Sequence, residues 1–570
     1  MRSRSTHPKL RAILLGLTAL PLIASALVGQ APAAQAAATT YYVSPTGNDS
    51  NSGTSSSQPW KTIAKVNGSV FGAGSTVSFQ GGASFAGCLA FNPTNVPGSS
   101  ASTPFKVNSY GSGQATITSN CTGTYSAAIS ADNVNGFTVD NLKIVNGGST
   151  AAGVLLQNQQ TTTPTRGMII QNSKITGFFQ TGTESVFGGQ IAILGYAVNG
   201  NSGPLAGIKI IDNHLYGASK TSKAGAGIYG WGSGTNITDV LVERNIVYNL
   251  GMAPKTTGGA ITANGWNGAV IQHNRVHDIG ANVTSCGGTS GILAYTSKNV
   301  QIRFNEVYAV EPYPSLTAGC DWDGIDLDGG VSNSVVEYNY THDNAGSGLL
   351  AYVDTPGGAA WGPNTFRYNI SQNDDRLKAQ GGLMNVVPKV PPNALSIYGN
   401  TFYTNVAQTA KSTASACFFF GYAGGTWAAG SQIKNNICAL ENRDQYGRAG
   451  QFYYNPNGHT GMAISNNLYW SPRAATWRWG GTTYPDFAAW QASGKETNAK
   501  WGNPLFASPG NGGNCVPTPL PTGPQPCPAA YRLQSGSPAL GAGVPISGSG
   551  GKDYYQDPLA NPPHIGADGG

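Results

Sequence analysis

Along most of the chain, apolar and polar positions alternate in short runs broken by Gly, Asn, Ser and Asp turns. Alternation puts successive side chains on opposite faces and predicts β-strands, and no long stretch keeps the 3.6-residue period of an amphipathic helix. A repeat organises these strands. From about residue 125, an Asn precedes an apolar-polar alternation at Asn141, Asn172, Asn213, Asn245, Asn274, Asn305, Asn339, Asn369, Asn400, Asn436 and Asn467. The steps average a little over about thirty residues, which is the solenoid range, and about eleven coils follow. A propeller is the competing repeat architecture, but its blades need about forty residues or more and their signatures are missing.

Each repeat has the same internal order. A Gly-led strand (GIYGW, GILAY, GIDLD, GLLAY) comes first, then a turn, a strand ending at the marker Asn, another strand and a loop of variable length. Stacked coils would align the marker Asn side chains as an internal ladder with a structural role. After Trp477 the rhythm stops, and a helix is predicted around Asp486 to Ser493 inside a capping segment that protects the open sheet edge.

The opening TYYVSPTGNDSNSGTSSSQPWKTIAKV, the repeats and the closing segment resemble those of secreted right-handed parallel β-helix proteins of the pectate-lyase-like superfamily. The resemblance implies an all-β right-handed parallel β-helix and a carbohydrate-active enzyme. The expected organisation is a signal peptide over 1–38, an opening and capping segment over 39–124, helix repeats over 125–476 and a C-terminal cap over 477–570.

Composition sharpens this. Arg2, Arg4, Lys9 and Arg11 precede the apolar run AILLGLTALPLIASALV and the small residues Ala34-Gln35-Ala36, the pattern of a secretory signal cleaved near Ala36 to Ala38. Removing those four positive charges takes the formal net charge from +6 to about +2. A near-neutral chain without a Lys/Arg cluster has no nucleic-acid footprint. The expectation is an extracellular monomer with no membrane association after cleavage. Eight cysteines lie close in sequence as Cys88/Cys121, Cys286/Cys320, Cys417/Cys438 and Cys515/Cys527. An even count behind a signal favours disulfides, with the connectivity left open.

Only 10% of the residues are charged, yet CDWDGIDLDGG concentrates Asp321, Asp323, Asp326 and Asp328. On a strand, Asp326 and Asp328 share one face while Ile325 and Leu327 share the other. Aligning the Gly-led strands sets Tyr229, Trp231, Tyr295 and Tyr352 on the same face, an acidic pair flanked by aromatic rings. Sugars suit such a groove, because rings cover their C–H faces and carboxylates serve their hydroxyls or act as acid and base.

The cluster, followed by His342-Asp343, resembles the acidic centres of β-helix glycan-cleaving enzymes, although the Gly-His-Gly and Arg-Ile-Lys motifs of polygalacturonases are absent. Residues two apart on a strand have Cα atoms about 6.6–7 Å apart, which favours an inverting hydrolase. The expected catalytic residues are Asp326, Asp328 and Asp323, and the substrate-binding set adds His342, Asp343, Arg376 and Lys378 to the aromatics. No cofactor is needed for hydrolysis. The alternative is a calcium-dependent lyase acting on a uronate polymer, with Ca²⁺ on Asp321, Asp323, Asp326 and Asp343 and Lys378 or Arg376 as base. The third reading is a non-catalytic glycan-binding solenoid.

Overall fold

In this computed structural model the described residues are 38–570 less 124, 160–162, 180–187, 196–202, 222–224, 253–257, 284–288, 312–320, 378–380, 392, 407–414, 422–424, 442–449 and 515–526. The expected signal segment, Lys378, Cys286, Cys320 and Cys515 lie outside them. The chain winds into a parallel β-solenoid with three sheets of fourteen strands each, every full coil giving one parallel strand to each sheet. Pairing is parallel except for a closing hairpin of Thr476–Trp479 with Thr482–Tyr484.

The sheets begin upstream of the Asn-marked repeats. Thr40–Val43 pairs with Thr76–Gln80, which pairs with Phe105–Tyr110. The solenoid therefore has about 12 turns, close to the eleven counted from the Asn markers, with the difference at its start. The early coils escape the Asn count because their interior is aromatic, with Phe91, Phe105 and Phe137 packed ring on ring.

Inside the marked coils the ladder forms. From Asn213 through Asn245, Asn274, Asn305, Asn339, Asn369, Asn400 and Asn436 to Asn467, each backbone N–H and each Nδ2 donates to the next Oδ1 at 2.9–3.1 Å. Its last rung is the buried Glu496, whose Oε1 accepts from Asn467 N and Nδ2. Asn141 and Asn172 are corrections: both sit one position earlier, at a left-handed corner with φ of 55° and 51°. There the ladder positions are Leu142, whose N–H donates to Ser173 Oγ, and Ser173, whose N–H donates to Asn213 Oδ1.

The predicted cap helix is Phe487–Ala492, capped by Asp486, and its Trp490 ring stacks 5.5 Å from Tyr453 at the end of the core. The remaining tail turns back along the outside of the solenoid. Val544 N–H donates to Asn435 Oδ1, Ala567 N–H to Thr401 Oγ1 and Gly512 N–H to Gln372 Oε1. Disulfides join Cys88 to Cys121 and Cys417 to Cys438, and Cys527 is disulfide-bonded.

The ladder generates a test. Asn339 Nδ2 also donates to Ile302 O and Glu337 O, so Asn339→Ala leaves several buried groups unpaired. Urea unfolding is expected to show a loss of ~2–4 kcal/mol for Asn339→Ala. Asn172→Gly, at an exposed left-handed corner, is expected to stay within ~0.5 kcal/mol of the parent.

Candidate active site

The sheet built from the Gly-led strands carries the acids. Its central strands are Ala226–Gly232, Gly258–Asn264, Thr289–Tyr295, Asp323–Leu327, Leu349–Val353 and Gly382–Pro388, in spatial order. Ile325 and Leu327 point into the apolar core, and strand alternation turns Asp326 outward between Leu293 and Leu350. Asp328 N–H donates to Ala294 O at 2.9 Å, which continues the register and seats Asp328 between Tyr295 and Tyr352. A cleft of about 360 Å³ lies over this row, with Trp231, Thr262, Asn264, Tyr295, Asp321, Asp326, Asp328, Tyr352 and Asp354 among its lining residues.

The acids are deep in the floor. Asp326 is only 2% exposed. Burial pushes the Asp328 carboxyl up from 3.8 to about 6, and the negative charges of Asp321 and Asp354 add to the rise. The Gly329 N–H, donating to Oδ1 at 2.6 Å, and the Lys389 ammonium oppose it. Lys389 reaches the site by lying over the Tyr352 ring, 4.8 Å from its centre.

Other expected residues are placed elsewhere. Asp323 shares the inward parity of Ile325 and Leu327; it is fully buried, and its Oδ1 accepts the Ser347 N–H at 2.6 Å. It therefore supports the turn into the next strand and does not join Asp326 and Asp328 on the outward face. Tyr229 stacks against Trp231 at 5.7 Å and is buried, so Trp231 presents the ring that lines the cleft.

His342 belongs to the sheet that follows the marker Asn. Its ring stacks between Tyr308 and Tyr340 at 4.6 and 4.4 Å, with Nδ1 2.9 Å from Asp343 Oδ2 and Nε2 3.4 Å from buried Glu306. Asp343 also takes Arg376 Nη1 at 3.1 Å. None of the three lines the cleft. The expected Ca²⁺ set of Asp321, Asp323, Asp326 and Asp343 is thus divided between an inward face, an outward face and a separate turn. Among the described residues no group of three or more His, Cys, Asp or Glu side chains is placed to hold a metal ion.

Sequence reasoning passed over the strand Gly258–Asn264, which lies between the GIYGW and GILAY strands and brings Thr262 and Asn264 into the cleft. The signal was present: the intervals on either side of Asn245–Asn274 each hold a Gly-led strand, and GGAITAN opens in the same way at the same place. Asp354 and Lys389 were missed because they follow their strands, beyond the alternating stretch that the alignment used.

No family model matches the chain. A lacto-N-biosidase of Bifidobacterium longum subsp. longum is 29% identical over 183 residues, covering 30% of this chain and 10% of that protein. The chain thus spans about a tenth of the length of this curated relative. Among solved structures, a GH136 lacto-N-biosidase from Eubacterium ramulus aligns over 65% of this chain and 64% of its own at 18% identity, with a TM-score of 0.49. The pectate lyase Pel9A aligns over 94% of this chain and 97% of its own at 11% identity, with a TM-score of 0.38.

The raised Asp328 carboxyl has a sign that can be checked. Between pH ~4 and ~6 the folded protein keeps a proton that the unfolded chain releases, so stability falls as pH rises through that window. Asp328→Asn removes this loss. The variant is expected to gain up to ~3 kcal/mol over the parent above pH ~6 and little below pH ~4, read as the difference in urea unfolding at the two pH values.

Proposed function

We propose that this protein is a secreted glycoside hydrolase that cleaves glycans in the cleft over Asp326 and Asp328. The observation that carries the reading is the acid pair itself: two carboxylates sunk in the floor of an outward sheet face, where Asp is disfavoured, with Tyr295 and Tyr352 on either side. Asp328, with its carboxyl raised to about 6, is suited to be the general acid that protonates the leaving oxygen. Asp326 is then the base that activates water. Alternate residues of a strand have Cα atoms ~6.6–7 Å apart, a spacing that supports the wider carboxyl separation an inverting reaction needs to admit its water. Trp231, Tyr295 and Tyr352 supply apolar surfaces for sugar rings.

The partial match to a lacto-N-biosidase supports a glycan substrate and makes oligosaccharides ending in lacto-N-biose the first to try. The disulfides fit an oxidising, extracellular setting. The lyase reading gains one feature in Lys389, a cation close to the acids that the alternation pattern alone did not offer.

Incubation of the purified protein with host-type oligosaccharides and plant, algal and microbial polysaccharides, with and without EDTA, separates the readings. The expected outcome is new reducing ends without unsaturated product, indifferent to EDTA, with a rate that falls as pH rises through ~6. Asp326→Asn and Asp328→Asn are each expected to lower kcat by ~10²–10⁴-fold. Unsaturated product that EDTA abolishes would instead establish the lyase, and full activity in either well-folded variant would overturn the assignment of the pair.

A further inference from the structure

Asn264 has a feature that neither acid pair nor aromatic rows explain, and the inference drawn from it rests on the glycan-cleaving reading above. It ends the strand Gly258–Asn264 in the row Trp231–Asn264–Tyr295 and lines the cleft floor at 3% exposure. The Thr296 hydroxyl donates to its Oδ1 at 2.5 Å. A primary amide is planar, with oxygen and nitrogen on opposite sides of one carbon, so fixing the oxygen turns Nδ2 the other way. That nitrogen makes no hydrogen bond among the described residues.

The neighbouring polar group offers no substitute. Thr262 Oγ1 accepts from Gly259 N–H at 2.9 Å and donates to Gly259 O at 3.0 Å, so its hydroxyl is occupied within its own strand. This part of the floor therefore presents an oriented donor in a largely buried setting. It lies two coils, ~9.6 Å, from Asp328, too far to touch the bond being cleaved.

We propose that Asn264 is a specificity-determining residue whose Nδ2 donates to an oxygen on the sugar next to the one at the cleaved bond, selecting glycans with a hydroxyl or acetamido carbonyl at that point. A site built around a buried donor discriminates strongly against a ligand without the matching acceptor, because binding such a ligand strands the donor. Thr296 is the positioning residue that keeps the amide from turning over.

The test measures binding, so that it does not depend on turnover. Calorimetry compares Asp328→Asn protein with the double variant Asp328→Asn, Asn264→Asp, which keeps the acceptor for Thr296 and removes the donor. Asn264→Leu on the same background removes both groups at similar volume. The probes are oligosaccharides ending in lacto-N-biose, their analogues deoxygenated on the second sugar, and an aryl monosaccharide too short to reach Asn264. The expected result is a ~10–100-fold loss of affinity for the full oligosaccharide only, with a smaller loss in Thr296→Val. Equal affinity of parent and double variant for every probe would overturn the inference while leaving the hydrolase reading intact. A loss of the same size for the aryl monosaccharide would reduce Asn264 to a structural part and overturn it as well. Failure of every glycan to bind either protein would bring down both readings together.

Discussion

The buried Asn ladder is the constraint on which this molecule depends. A stacked coil has polar corner groups that point inward, and an unpaired N–H there would cost ~1–3 kcal/mol per coil. From Asn213 to Asn467 each amide answers this by accepting from the coil before and donating to the coil after. Because every rung occupies the same place in its coil, the ladder also sets register. A slip of one residue would turn each flanking strand inside out. The termination of the ladder on Glu496, itself held by Trp490 Nε1 and Tyr469 OH, ties the closing helix into the same network.

Register then decides what the groove sheet displays. Asp323 and Asp326 are three residues apart and chemically alike, yet one props a buried turn at Ser347 N–H and the other faces the cleft. The outward acids are costly, since Asp328 gives up hydration and has Asp321 and Asp354 close by. Lys389 and the Gly329 N–H offset only part of that. A scaffold stiffened by the ladder can carry such a local penalty, which is the usual relation between a rigid support and a destabilised site.

The sheet after the marker Asn uses its outer face differently. Tyr216, Tyr248, His277, Tyr308 and His342 stack in series at 4.6–5.3 Å. Burial and the facing carboxylates act in opposite directions on His342: burial disfavours its charge, while Asp343 and Glu306 raise its pKa above the ordinary value. Glu306 is also paired with Arg275 at 3.1 Å. The C-terminal tail lies over the following coils, where Tyr531 OH donates to Gln372 Oε1 on this sheet and Arg367 Nη1, on the sheet that precedes the marker Asn, donates to Gly548 O. The tail thus covers polar and aromatic surface along the side of the solenoid in addition to closing its end.

The repeat of Asn and alternating residues was sufficient to identify a parallel solenoid, an internal amide ladder, the outward parity of Asp326 and Asp328, their aromatic neighbours and the capping helix after Asp486. These are local or periodic properties: strand parity depends only on residue number, and a ladder follows from identical residues at identical places. The inward parity of Asp323 and the strand Gly258–Asn264 belong to the same periodic signal, whereas the early coils, the place of His342 and Arg376 and the arrival of Asp354 and Lys389 were decided by tertiary structure alone. Which strand lies beside which, and how far a loop residue reaches along the axis, depends on loops of unequal length that carry no periodic signal. Sequence proximity therefore placed His342-Asp343 beside the acids, whereas the turn between two sheets carries them around a corner of the solenoid, out of the cleft.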